Sequence, residues 1–449
     1  MNTIQKLLSL QNSYTMNDNT FKTEGKRLLI LGGSSAKDIV VQAKRMGVYT
    51  IVADWDETNK SKEIADESVI VSTTDIDALV ALIREKSIDG VFTGPSEFNL
   101  QQVMRVCEAS GLPFYATQKQ WDICQNKASF KELCRRFNVP VIPEYEVSSE
   151  IKSDELAKIK YPVVVKPADS YSSKGLSICK NEDELRKAIP YALSFSDSGR
   201  FIVEKCVTSD YGFGCRYIAN NGEIVLSALC DRYTVDEFDG KAHISSAAIF
   251  PSKLTDTYIR DINPNVISMF QSIGLSNGTF FMQALVDQDD NQIYFHEMGL
   301  RLSGGLIYSM LEASCGYNDV QMMIRYALGG PMATDVEMKK IDPYMHGHIV
   351  GSLTIPLNTG QISTIEGVDD VRSNPNVTSV VQYYSEGDTI TPDVIGTLSQ
   401  HFCRVKMMTA SFEEYSKMIN YVQNTIDVRD KDGNSMIYRK FDVTRLNHG

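Results

Sequence analysis

The stretch Gly278-Thr-Phe-Phe-Met-Gln283-Ala-Leu-Val-Asp-Gln-Asp-Asp-Asn-Gln-Ile-Tyr-Phe-His-Glu297-Met-Gly-Leu-Arg301 decides how this sequence reads. Two apolar runs, Gly278 to Val286 and Gln292 to Met298, flank the turn-forming residues 287–291, which predicts a β-hairpin. Strand side chains alternate faces, and positions 283 and 297 differ by an even number across a turn centred near residue 290. In an unbulged antiparallel pair, Gln283 and Glu297 then stand opposite each other on one face. They sit among Phe280, Phe281, Ala284, Ile293 and Phe295, where a bare carboxylate is costly. Glu297 therefore needs a cation. A hard Mg²⁺ takes carboxylate and amide oxygens; Arg301 would serve instead as a structural ion pair. The hairpin alone leaves both open.

Working back along the chain, Tyr161-Pro-Val-Val-Val-Lys166-Pro167 reads as a strand ending in a lysine, followed by a small-residue loop to Gly175 and a second strand, Leu176 to Cys179. Small residues let backbone N–H groups approach an anion, and Lys166 and Lys174 add positive charge. An exposed hairpin tip with incidental lysines fits the loop equally well. Upstream, Gln120 to Phe137 predicts one helix with Lys127 and Lys131 a turn apart on one face. Strands dominate after Arg200, and a helix spans Asp256 to Ile273.

Before residue 120, strands and helices alternate: Arg27–Leu31, Val48–Asp54, Ser68–Val71, Asp89–Thr93 and Leu112–Tyr115 as strands, with helices between them. That alternation predicts a parallel sheet covered on both faces. Asp54 invites a dinucleotide reading, but Gly32-Gly33-Ser-Ser lacks the G-x-G-x-x-G spacing, so the small residues are read as packing at the first turn. His346-Gly-His348 would share one face of a strand but has no third ligand nearby, and a solvated face is the preferred reading. Arg232 and His243 flank a polar stretch that serves equally as a substrate loop or as a loop without a role.

Composition bounds the function. In 449 residues, Lys+Arg 45 against Asp+Glu 57 gives a net charge of −12, which argues against a nucleic-acid binder but not against a basic pocket for a small anion. Nine cysteines, none in a Cys-x-x-Cys pair, predict free thiols in a reducing cytoplasm. Residues 1–25 lack a signal-peptide core, and no run of eighteen apolar residues occurs, so no membrane span is expected.

The order Lys127, Lys166-Pro, Ser-Ser-Lys-Gly175, Val203-Glu204, Gln283 and Glu297-x-x-x-Arg301 resembles the ATP-grasp superfamily from about residue 26 to 445. Carbamoyl-phosphate synthetase large subunits, biotin carboxylases and phosphoribosylglycinamide synthetases are organised similarly. The stretch from Gly351 to Asp388 looks most like the ATP-grasp L-amino acid ligases. The resemblance implies an α/β and α+β chain in four parts: a loose tail, 1–25; a doubly wound pre-ATP-grasp domain, 26–120; a two-lobed ATP-grasp domain, 121–335, with its lid at about 161–201; and a small C-terminal α+β domain, 336–449.

It implies ATP and Mg²⁺ as cofactors, with Mn²⁺ as the alternative ion. Lys127 and Lys166 would contact the α- and β-phosphates. Ser172, Ser173, Lys174 and Gly175 would close over the triphosphate, with Lys174 and Arg301 catalytic. Glu204, Lys205, Cys206 and Val207 would form the adenine hinge, Gln283 and Glu297 would hold the metal, and Arg301 would steady the transferred phosphoryl group or the substrate carboxylate. Two departures stand out. The family's Glu-x-Asn has Gly299 at the Asn position, and its ribose acid is replaced by Tyr211 with Asp210 adjacent. The implied activity is ATP-dependent carboxylate–amine ligation through an acyl phosphate, with small-molecule substrates and room for a homodimer. The alternatives are another acceptor, as in a carboxylase or carbamoyl-phosphate enzyme, and a catalytically silent nucleotide-binding regulator.

Overall fold

The structure, a computed structural model, describes residues 21–446 other than 34, 169–174, 210 and 235–244. The strands β1 (Arg27–Leu31), β2 (Tyr49–Ala53), β3 (Glu67–Val69) and β4 (Gly90–Phe92) form a parallel sheet in the order β3-β2-β1-β4. Helix Ala36–Arg45 crosses from β1 to β2, Ile76–Glu85 from β3 to β4, and Glu97–Ser110 follows β4. The sequence marks two of their starts: Asp75 and Ser96 accept from the backbone N–H groups of Ala78 and Asn99. Gly32 is small because a Cβ there would run into the Asp54 carboxylate, which Asp56 N–H and Asn59 Nδ2 hold in place. The glycine is a packing device, as expected.

Leu112–Tyr115 is not a fifth strand. Its aromatic side chains pack inward instead, and the Tyr115 hydroxyl donates to the Leu300 carbonyl at 2.8 Å. The helix expected over 120–137 is two, Gln118–Gln125 and Lys127–Arg136. Asn126 between them caps the second by accepting from the Ser129 N–H. The last described residues of the N-terminal tail are tied down, with the Thr23 hydroxyl on Met46 O and the Gly25 N–H on Gly47 O.

A small sheet follows: β5 (Glu144–Tyr145), β6 (Val163–Pro167), β7 (Ser177–Cys179) and β8 (Phe201–Lys205), ordered β5-β8-β6-β7. Helix Glu182–Leu193 covers it, and Val163, Val165, Leu185, Ile189 and Val203 make a core separate from the rest. A body with its own core can move as a unit.

The largest sheet holds β9 (Gly212–Asn220), β10 (Glu223–Thr234), β11 (Ser245–Phe250), β12 (Gly278–Val286), β13 (Ile293–Gly299) and β14 (Ile349–Pro356). Its order is β13-β12-β9-β10-β11-β14, followed by strands His401–Thr409 and Val377–Gln382. Three strands from 336–449 therefore extend the preceding sheet, and the boundary expected at 335/336 crosses continuous hydrogen bonding. All nine cysteines are free, Cys206 alone not fully buried. Among the described residues no helix is long and apolar enough to cross a membrane.

Candidate functional site

Strand β8 delivers Glu204 to the cleft between the small sheet and β12–β13. Glu204 is 3% exposed, and its two carboxylate oxygens take different lysines. Lys166, at the end of β6, pairs with one, while Lys131 Nζ reaches the other at 3.0 Å and Glu144 at 2.5 Å. Burial lowers the Lys166 pKa, and Lys131 and Lys127 push it the same way. Lys127 is exposed on the first turn of its helix and makes no ion pair among the described residues. The i, i+4 spacing pointed to Lys131, but its role as the second arm of a lysine–glutamate–lysine bridge depends on partners from β5 and β8.

The next residues of β8 run into a loop with one unmet carbonyl. Lys205 N–H donates to Pro143 O at 2.9 Å, and proline has no N–H to return, so the ladder leaves the Lys205 C=O open. The Val207 N–H has no partner among the described residues. The Cys206 N–H is taken by Pro162 O. Lys205 Nζ pairs with Asp287 at 2.9 Å and Asp290 at 2.6 Å, and Gln288 N–H donates to Thr208 O, which fixes this loop to the β12–β13 turn.

The hairpin is as expected up to its middle. Gln283 and Glu297 are direct register partners, but the pairing then shifts to Ala284–Phe295, leaving His296 as the extra residue of a bulge. Sequence alternation alone hides such a residue. The His296 imidazole is held neutral, at about 3, by burial and then by the fields of Arg232, Lys166, Lys127 and Lys131. Charges from helix Lys127–Arg136, from β6 and from β10 all act on that imidazole.

The cation beside the Gln283–Glu297 pair is Arg232, not Arg301. Arg232 donates to the Gln283 amide oxygen, and its charge is felt together with Glu297. Arg301 turns away: it pairs with Glu97 at 2.8 Å, donates to Leu302 O and lies 5.0 Å over the Phe281 ring. The structural alternative for Glu297 is thus overturned, because its supposed partner docks the first domain. Glu297 accepts no hydrogen bond among the described residues, and with Gln283 it offers two hard oxygen donors, a set suited to Mg²⁺ completed by phosphate oxygens and water. Gly299 cannot add a third: Phe281 is its register partner, and a Cβ on Gly299 would lie 2.5 Å from that ring.

Ser172, Ser173, Lys174 and Asp210 lie outside the described residues. Gly175 has φ +73°, and a Cβ there would meet Pro167 at 2.7 Å, so the loop's end needs glycine. Tyr211 stacks at 5.9 Å on Tyr233 and carries Lys253 over its ring at 3.8 Å. His346 and His348 lie on a 3-10 turn rather than a strand. His346 faces Asp342, His348 contacts Met345 O, and no group of three metal-binding side chains occurs among the described residues.

Residues 126–334 match the family model described as the carbamoyl-phosphate synthase L chain, ATP-binding domain. A formate-dependent phosphoribosylglycinamide formyltransferase of Sulfurisphaera tokodaii is 25% identical over 326 residues, covering 71% of this chain and 79% of that protein. An L-amino acid ligase from Bacillus licheniformis superposes with a TM-score of 0.72 at 19% identity, over 91% of this chain and 99% of the other. The biotin carboxylase domain of Hydrogenobacter thermophilus 2-oxoglutarate carboxylase, a dimer with MgADP and bicarbonate, gives 0.71 at 19% identity over 90% of each chain.

Proposed function

Because this chain belongs to the ATP-grasp superfamily, we propose that it is an ATP-dependent ligase that joins a carboxylate to an amine through an acyl phosphate, releasing ADP and phosphate. The observation that carries this reading is the Gln283–Glu297 pair, whose carboxylate accepts no hydrogen bond among the described residues, with Arg232 on Gln283 and Lys166 and Lys131 held on Glu204. Lysines and an arginine grouped with one pair of hard oxygen ligands suit a metal–triphosphate.

The Lys205 carbonyl and Val207 N–H present one acceptor and one donor at the cleft wall, the complement of an adenine edge. Lys127 and Lys166 neutralise the phosphates, and the Lys131-bound Glu204 holds the Lys166 ammonium in position. Gln283 and Glu297 would hold Mg²⁺, which would supply charge neutralisation for the phosphoryl group in transfer. Phosphoryl transfer asks for positioning and charge compensation more than covalent chemistry. By the family resemblance Lys174 would stabilise the moving charge, and Arg301 steadies the reacting end of the substrate after exchanging Glu97. The acyl phosphate is then open to the amine. Small-molecule substrates and a homodimer complete the proposal.

Glu297→Gln tests it. The amide is isosteric, so melting of the ligand-free protein should stay near native, while Mg²⁺-dependent stabilisation by ATP and ADP formation are lost. A variant that still turns over with Mg²⁺ refutes the assignment, and bicarbonate-driven turnover without an amine selects the carboxylase alternative.

A further inference from the structure

Beyond the metal pair, the same face of the large sheet carries a row of cations. Direct register partners run Arg232 (β10), Ala248 (β11), Ser352 (β14) and Lys406 on strand His401–Thr409. Arg404 lies two residues before Lys406 and so shares its face. Arg216, the partner of Ala228 and Phe281, lies on the same side. Between the cations the floor is small: Ala228, Ala248 and Ser352. Ala248 and Ser352 retain exposure although they lie in the interior of an eight-stranded sheet, so the floor is an open trough.

The loop after Arg301 roofs it. Arg216 Nε donates to Ser303 Oγ at 3.3 Å, the Arg404 guanidinium lies 3.5 Å from where a Gly305 Cβ would be, and Lys406 donates to Leu306 O. None of Arg216, Arg232, Arg404 and Lys406 forms an ion pair among the described residues. The carboxylates within their fields are Glu297 for Arg232, Asp319 for Arg216 and Lys406, and Asp38 for Lys406, which Tyr308 engages at 2.8 Å. Lys406, 2% exposed, is held off water without an ion pair, and such a charge is costly unless a ligand supplies the counter-charge.

We propose that this trough, walled by Arg216, Arg232 and Arg404 under the Ser303–Leu306 loop, binds a second anionic group, carboxylate or phosphate, on the substrate of the ligase. The inference rests on the ligase reading and narrows it to substrates bearing an anion besides the reacting carboxylate. Arg404, whose side chain makes no hydrogen bond among the described residues, is the residue that reads that anion, and its planar fork suits either oxyanion.

Calorimetry at saturating MgADP tests the proposal with two matched pairs. L-aspartate against L-asparagine reads a carboxylate, and O-phospho-L-serine against L-serine reads a phosphate. The anionic member of at least one pair should bind about tenfold tighter or more, the yield of a charge-assisted contact. Arg404→Gln should erase that preference without changing MgADP affinity, and Ser352→Leu, which fills the floor, should do the same. No preference in either pair, or a preference that survives both substitutions, overturns the proposal. Failure of MgADP itself to bind would instead count against the ligase reading.

Discussion

Replacing Glu204 by Gln isolates what the lysine bridge contributes. The carboxylate is 3% exposed and is the sole ion-pair partner of Lys166 among the described residues, whereas Lys131 keeps Glu144 at 2.5 Å. The substitution therefore strands one ammonium rather than two. Breaking a buried pair costs about 3–5 kcal/mol, and the retained Lys131–Glu144 contact places this variant near the lower end, about 3 kcal/mol. The loss depends on pH with a fixed sign. Burial already lowers the Lys166 pKa, and loss of Glu204 lowers it further. A lysine that gives up its proton more readily in the folded state leaves the unfolded chain binding more protons, so stability rises with pH. The deficit is full near neutrality and shrinks as pH approaches the ordinary lysine value of about 10.4. Urea unfolding of both proteins between about pH 7 and pH 10 measures it. A deficit under about 1 kcal/mol, or one that does not change with pH, would refute the bridge as described.

Three further outcomes follow from the same geometry. Gly299→Ala should destabilise by about 1–3 kcal/mol by overpacking Phe281, and a cycle with Phe281→Ala should show coupling of about 1 kcal/mol or more; additive effects would mean the ring is not what excludes a side chain. Asp319 is raised to about 6, burial being the main cause, so the native state binds its proton more tightly and stability should fall as pH rises from about 4 to 6. Asp319→Asn should remove that slope and add about 2–3 kcal/mol at neutrality, read by urea unfolding across pH. Lys205→Met should cost about 3 kcal/mol because it strands Asp287, which is 0% exposed, and amide exchange should quicken in the 286–292 turn; unchanged exchange would separate hinge from turn.

Much of this was legible in the chain because local chemistry specified it. The 278–301 hairpin, the helix Glu97–Ser110 and the small-residue turn at Gly32 each follow from spacing or composition over a few residues. What was not legible depends on distant partners. Arg301 reaches Glu97, about two hundred positions away, because β13 ends against the first domain, and nothing near Arg301 signals that. The bulge at His296 breaks alternation through one unpaired residue, which periodicity cannot resolve. Strands of 336–449 look like a separate unit in sequence, since a strand pattern does not say which sheet it joins. The break at Asn126 was readable, because asparagine favours caps over helix interiors.

In the proposed reaction a carboxylate oxygen attacks the terminal phosphate of ATP in the Lys166–Glu297 cleft. Turnover of a substrate labelled with ¹⁸O in its carboxylate, followed by mass analysis of the released phosphate, tests that directly. One ¹⁸O should be transferred into each phosphate, alongside ADP. Phosphate free of label, or AMP and pyrophosphate as products, would contradict it.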